Sequence, residues 1–258
     1  MNPQAVAAVL DLMADDDPAV REPLLGQLAG DPHLLDAVWL AAEHRGTVNP
    51  ALIDLVVHAD AQALVDAFSA ADDLESGLWL LHRLIGPRHD HALAGRRALD
   101  ALACRIPDGA NAWDIARFLA DLGFAGDRAT YDDPRNSLIG DVLERRAGLP
   151  IALVALWLLL CRRRGIHAWA VALPGHVVGG FPNGDAEAWV DCFAGARMID
   201  RQRLDIIARA AGETGAGPYL KPASDRALLR RAVRNLVLSW LRRGDKLRAT
   251  IASAMAAG

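Results

Sequence analysis

A histidine and an aspartate fifteen residues apart, His176 and Asp191, are the pair in this sequence best suited to chemistry. Imidazole changes charge near neutral pH, and a carboxylate bonded to one ring nitrogen orients the ring and stabilises its charged form. His176 follows Leu173-Pro174-Gly175, and Asp191 lies within Trp189-Val190-Asp191-Cys192-Phe193. A turn over 181–187 would set the two on neighbouring strands with their side chains facing each other. Two roles fit that arrangement: a site for binding or proton transfer, or a buried pair that only holds a hairpin together. Other candidates are weaker. His89 and His91 flank Asp90 after Pro87, and are read as loop histidines rather than metal ligands. Cys104, Cys161 and Cys192 lack zinc-finger spacing, and Gly175, Gly179 and Gly180 match no phosphate-binding fingerprint. Neither a metal nor a cofactor is expected.

The elements that must position this pair are legible in turn. Residues 4–120 read as helices broken at Asp17-Pro18, Asp31-Pro32, Asn49-Pro50, Gly86-Pro87 and Ile106-Pro107. Leu34, Leu35, Val38, Trp39 and Ala42 form one apolar helical face, and Leu78, Leu80, Leu81 and Leu84 another. No fixed-period signature establishes a repeat array. Near residue 121 the chain turns irregular and polar. Asn136 or Ser137 is expected to cap a helix that runs to about Ala147 and ends at Gly148. Pro150 then starts a second helix, roughly 150–164, apolar until Arg162 and closed by Gly165. Strand signals follow at 167–178, 188–193 and 197–199, with a turn predicted over Phe181-Pro182-Asn183-Gly184-Asp185. Helices at about 201–211 and 223–243 close the chain, separated by a glycine-rich loop at 212–217.

The chain has 258 residues, 52% hydrophobic, enough for a sizeable core in one or two domains. Its apolar mass is mostly Ala, Leu and Val, which favours helix. A formal charge of −4 gives no general attraction to nucleic acid or to anionic lipid. The longest apolar run, Ile151 to Cys161, is about half the ~20 residues that span a bilayer. Neither nucleic acid nor membrane is expected as a partner. Three cysteines and an N-terminus without a basic, apolar leader point to the cytoplasm. The expected class is α+β and predominantly helical: a helical N-terminal half, then helices on a small antiparallel sheet.

Several segments resemble the bacterial SirB family of transglutaminase-like proteins. They are Gly123-Phe124-Ala125-Gly126, Tyr131-Asp132-Asp133-Pro134-Arg135-Asn136-Ser137, Val142 through Ile151, Leu173-Pro174-Gly175-His176 and the late helix Leu229 through Leu236. The resemblance is ordered from about 113 to 245 and implies domains at 1–112 (helical) and 113–258 (transglutaminase-like, with a papain-like core). It implies that His176 is the family histidine and Asp191 its orienting aspartate. In the wider superfamily a cysteine at a helix N-terminus is the nucleophile, favoured as thiolate by the helix dipole. The resemblance puts Pro150 at that position, and Ala152 where family members often carry Ser or Thr. Cys161 lies roughly 16 Å further along the same helix at 1.5 Å per residue, and is read as a core thiol. Cys192 is expected to point away from His176 by strand alternation, and Ser137 is read as a cap rather than a nucleophile.

Three functions follow as expectations. The first is a non-thiol protein that binds a peptide, protein or polar small molecule in a residual cleft lined by His176, Asp191, Asn136, Tyr131, Pro150 and Trp189. The second is a cysteine-independent amide hydrolase or acyl/amide transferase with His176 as general base. The third is a scaffold whose helical N-terminal half binds a protein partner.

Overall fold

The computed structural model describes residues 3–15, 17–86 and 91–257. His89 and Asp90, of the histidine pair noted above, lie outside them. The chain divides into two compact units: Met1–Asp66 with Arg83–His89, and Ala67–His82 with Asp90–Gly258.

The smaller unit is helical. Helices α1 (Pro3–Met13), α2 (Pro18–Gly30), α3 (Pro32–Arg45) and α4 (Pro50–Ala59) are followed by α5 (Ala61–Ser69). Aspartate or asparagine before proline explains three of the starts. Asp17, Asp31 and Asn49 each accept a backbone N–H of the first turn, while Pro18, Pro32 and Pro50 occupy a first-turn position that needs no donor. One apolar cluster holds the unit together, with Leu28, Leu35, Val38, Trp39, Leu52 and Val56 fully or almost fully buried.

The larger unit is built around one helix. In chain order it contains α6 (Leu74–Leu81), α7 (His91–Cys104), α8 (Ala112–Asp121), strand β1 (Ala125–Gly126), a 3-10 turn at Pro134–Ser137, α9 (Ile139–Arg145), β2 (Ala147–Gly148) and α10 (Pro150–Arg163). Then come β3 (Trp169–Leu173), β4 (His176–Asn183), β5 (Ala186–Asp191), β6 (Arg197–Ile199), α11 (Arg201–Ala210), α12 (Asp225–Arg243) and α13 (Lys246–Ala257). Every residue of α10 from Pro150 to Cys161 is buried. A helix apolar on all sides needs cover on all sides. Helices α7, α8, α9 and α12 and strands β3 and β4 supply it.

The antiparallel sheet β3-β4-β5-β6 approaches α10 closely because β4 carries Gly179, where a Cβ would lie 2.5 Å from the Trp157 ring. The Trp157 indole donates to the Ala112 carbonyl oxygen at 2.7 Å, so the one polar atom of this buried side chain is satisfied. On the opposite face, Trp169 of β3 covers its cross-strand partner Gly180. Helix α11 packs on that face over Val171, Leu173, Val178 and Ile199.

Four local expectations are corrected. Neither Asn136 nor Ser137 caps α9, whose N-cap is Leu138 with no side-chain acceptor. That helix stops at Arg145 because Arg146 adopts the left-handed conformation (φ 57°). Gly148 instead belongs to β2, which pairs in parallel with β1. The β4–β5 turn is also shorter than predicted: Phe181, Pro182 and Asn183 stay in β4, and only Gly184-Asp185 connect the strands. Pro182 is tolerated because β3 pairs with β4 only as far as Gly180, so no strand requires a donor on that side.

Two buried features give measurable expectations. Gly179→Ala is expected to destabilise the fold by about 1–3 kcal/mol through overpacking against Trp157, seen as a lower urea midpoint at constant slope. An unchanged midpoint would mean that the ring yields freely. His82 is buried and accepts the Gly140 N–H on Nε2 at 2.7 Å. Burial, and then the charge of His91, lowers its pKa from 6.5 to about 3. As pH falls below 6.5 the unfolded chain takes up a proton that the folded chain refuses, so stability declines down to about pH 3. His82→Gln should flatten that decline when urea titrations at pH 7 and pH 5 are compared; equal slopes for variant and wild type would refute a neutral buried His82.

Candidate functional site

The hairpin β3–β4 sets the first group of the site. Pro174 and Gly175 (φ 73°) form its two-residue turn, which pairs Leu173 with His176. Proline fixes the first turn position and glycine takes the left-handed second one. His176 thus opens β4, an inner strand, directly after the turn. Asp191 closes the neighbouring strand β5, one register step beyond the Gly179–Val190 pair and so opposite Val178. His176 and Asp191 are therefore diagonal neighbours on one face, within reach of each other's side chains. Nε2 of His176 lies 3.0 Å from Oδ2 of Asp191, and the two side chains are 17% and 11% exposed. The contact is short but not aligned for a linear N–H···O bond.

Asp191 is held ionised. Burial raises its pKa, but His176 and the backbone N–H groups of Ala194 and Phe193 outweigh burial and keep it below the usual carboxylate value. Oδ1 accepts the Ala194 N–H at 3.1 Å.

Phe193 organises the remainder. His176 meets its ring edge-on at 6.0 Å between centroids, Tyr131 does so at 6.1 Å, and the Arg128 guanidinium lies 5.3 Å over it. Gly126 permits this placement, since a Cβ there would sit 2.4 Å from the ring. The Gly126 N–H also donates to the Phe193 carbonyl at 3.0 Å. A cavity of about 350 Å³ opens beside these groups, bordered by His176, Asp191, Phe193, Arg128 and, from α11, Arg203 and Ile207.

Of the six residues singled out by sequence, only His176 and Asp191 line this cavity. Tyr131 touches the site through Phe193. Asn136 is fully buried behind it: its amide donates to Thr130 O at 2.7 Å, its side-chain oxygen accepts from Arg145 at 3.0 Å, and its carbonyl accepts the Leu149 N–H at 2.8 Å. It therefore ties the 127–137 segment to the start of α10. Pro150 is buried at that start, and Trp189 packs among Val171, Leu173 and Ile199 under α11. Asp132 and Asp133 fasten the same segment to α12 through Arg242 and Arg243. Phe193, Arg128, Arg203 and Ile207 were not anticipated. Phe193 had a sequence signal in lying two residues beyond Asp191; the other three had none.

Nucleophile and metal candidates can be placed as well. Cys161 is buried, and burial pushes its thiol up to about 12. Cys192 is buried, with its pKa raised by burial and then by the Asp191 charge. Ser137 is buried with no hydrogen-bond partner for its hydroxyl. Among the described residues no cluster of three or more His, Cys, Asp or Glu is arranged to hold a metal ion.

Residues 96–234, more than half of the chain, match the family model described as "Transglutaminase-like superfamily". The chain belongs to the transglutaminase-like superfamily. Among curated proteins it is 37% identical over 121 residues to a UPF0162 protein of Xylella fastidiosa, an alignment that covers 45% of this chain and 43% of that one. It is 28% identical over 231 residues to a UPF0162 protein of Pseudomonas aeruginosa, covering 89% of this chain and 67% of the other. The chain thus spans less than half the length of the Xylella relative in that alignment. No solved structure matches it significantly. The α+β architecture, mostly helical with small sheets, is consistent with this family. No described helix is long and apolar enough to cross a membrane.

The depressed Asp191 pKa fixes a sign. Its ionised form adds stability fully present above the unfolded carboxylate value near 4, and that stability is lost as pH falls through and below that value. Asp191→Asn should therefore show a shallower fall of Tm between pH 5 and pH 3 than wild type. A parallel fall in both would count against an engaged Asp191 carboxylate.

Proposed function

We propose that this chain is a SirB-type transglutaminase-like protein that lacks a cysteine nucleophile and binds a peptide or polar small molecule in the His176–Asp191 cleft. One observation carries the reading: the His–Asp pair borders a cavity of about 350 Å³ that no cysteine lines. A cavity of this size, part aromatic and apolar with a few placed polar groups, has the makeup of a small-ligand site. In this reading Pro150 stands at the helix start where superfamily enzymes carry their thiol. The other buried thiols, Cys161 and Cys192, are held protonated and are poor replacements. Asn136 and Tyr131 serve by positioning the 127–137 segment. The three unpaired thiols suit a reducing cytoplasm.

A second reading keeps catalysis. In it Asp191, ionised and fixed by the Ala194 N–H, would orient His176 as a general base on water or on a substrate amine. The reaction would be amide hydrolysis or acyl/amide transfer without a covalent thioester.

A thermal-shift screen of short peptides and polar amides against wild type and His176→Ala tests the binding reading. Ligands that raise the wild-type Tm should lose that effect in the variant. Tm shifts of equal size in both proteins would sink it. Turnover of any such amide that disappears in His176→Ala but survives in Cys161→Ala and Cys192→Ala would favour the second reading over simple binding.

A further inference from the structure

Several arginines in the larger unit have a carboxylate to face. Arg135, Arg145, Arg162, Arg163, Arg164 and Arg201 all make ion pairs. Arg128 and Arg203, the two that border the cavity, make neither an ion pair nor a guanidinium hydrogen bond among the described residues. Arg128 lies 5.3 Å over the Phe193 ring, a cation–π contact that uses none of its N–H donors. Arg203 lies two residues from Arg201, which pairs with Asp205, so the acidic group of this helix is already engaged. The negative charge at the cavity is engaged too: Asp191 faces His176 and accepts the Ala194 N–H. What remains at the rim is two cations without partners, next to apolar wall from Phe193 and Ile207.

We propose that the cleft recognises a carboxylate, carried by a short peptide and gripped by Arg128 and Arg203 while the rest of the peptide lies against Phe193 and Ile207. The inference rests on the reading of this cleft as a ligand site. Guanidinium offers paired donors that match a carboxylate, and charge-assisted bonds of this kind are among the stronger polar contacts. Asp191 at the same cavity disfavours a doubly charged phosphate more than a singly charged carboxylate, since repulsion scales with the product of the charges.

The test is calorimetric titration of four probes into the full chain: acetyl-Ala-Phe-Ala with a free C-terminal carboxylate, its C-terminal amide, acetyl-Phe-Glu-Ala-amide, and inorganic phosphate. The first probe presents a terminal carboxylate and the third a side-chain one, so their ranking tells which source the site takes; binding of either supports the proposal. The neutral amide should bind about tenfold more weakly or worse, and Arg128→Gln and Arg203→Gln should each weaken the carboxylate probes by about ten- to a hundredfold. Both arginines are exposed, so their removal does not threaten the core. Carboxylate binding should also weaken as salt rises. Equal affinity for acid and amide, or no loss in either arginine variant, overturns the carboxylate proposal; if binding is still lost in His176→Ala, the cleft reading survives it. Binding unaffected by His176→Ala and by both arginine variants overturns the two together. Tighter binding of phosphate than of either acidic peptide, or no saturable binding of either acidic peptide, also overturns the proposal.

Discussion

The constraint on which the larger unit depends is that α10 meets solvent nowhere between Pro150 and Cys161. Twelve successive apolar residues on a helix point in every direction, so no single packing partner satisfies them. The cost of leaving one side wet would be on the order of 25 cal/mol per Å² of apolar surface. Helices therefore close on several sides and the sheet on another. The close approach of the sheet selects Gly179 beneath Trp157, because any side chain there would hold β4 away. With β4 seated, the registers of β3 and β5 follow from the hairpins. His176 and Asp191 then fall at the same end of adjacent strands. The site geometry is thus a consequence of core packing two elements away.

The other wall of the cavity is held by different physics. The segment from Asp127 to Ser137 has little apolar surface to bury, and polar bonds fix it instead. Arg145 bridges Asp127 and Asn136. Asp133 is buried between Arg135 and Arg243, and although burial raises its pKa, the bonds from Arg135 and the charges of both arginines lower it overall. Breaking one partner of such a network leaves a desolvated charge behind, which costs more than the bond alone. A short parallel pairing of β1 with β2 and the Gly126–Phe193 bond then set Arg128 and Tyr131 around the Phe193 ring. Apolar packing positions the histidine and aspartate; a polar network positions the aromatic and cationic side.

The sequence exposes the first kind of order better than the second. An unbroken apolar run from Pro150 to Cys161 reads as a buried helix because burial is written in every residue. Asp-Pro and Asn-Pro pairs mark helix starts because capping is local. His176 and Asp191 stand out because their residue types are chemically informative and a turn lies between them. Asn136 misled for the same reason: asparagine is a good cap, yet here its side chain is taken up by Thr130 and Arg145, nine residues away in sequence for the latter. The position of Pro182 misled as well, since whether proline can sit in a strand depends on where the neighbouring strand stops. Arg128 and Arg203 carried no signal at all, because an arginine facing a cavity and one facing a carboxylate are the same letter.

The start of α10 bears on what kind of chemistry the cleft can support. A helix N-terminus activates a nucleophile by presenting free N–H groups and the positive end of the dipole to it. Here the first helical residue is proline, which has no N–H, and the preceding Leu149 directs its own N–H to the Asn136 carbonyl. The side chains at that end, Leu149, Pro150, Ile151 and Ala152, carry nothing that ionises. The thiols of Cys161 and Cys192 are buried where the thiolate is disfavoured, and the exposed Cys104 does not line the cavity. The cavity itself is bordered by an imidazole, a carboxylate and two guanidiniums. An imidazole with an anchored carboxylate on one side and two guanidiniums at the same cavity presents donors to an anion and no thiol to a carbonyl.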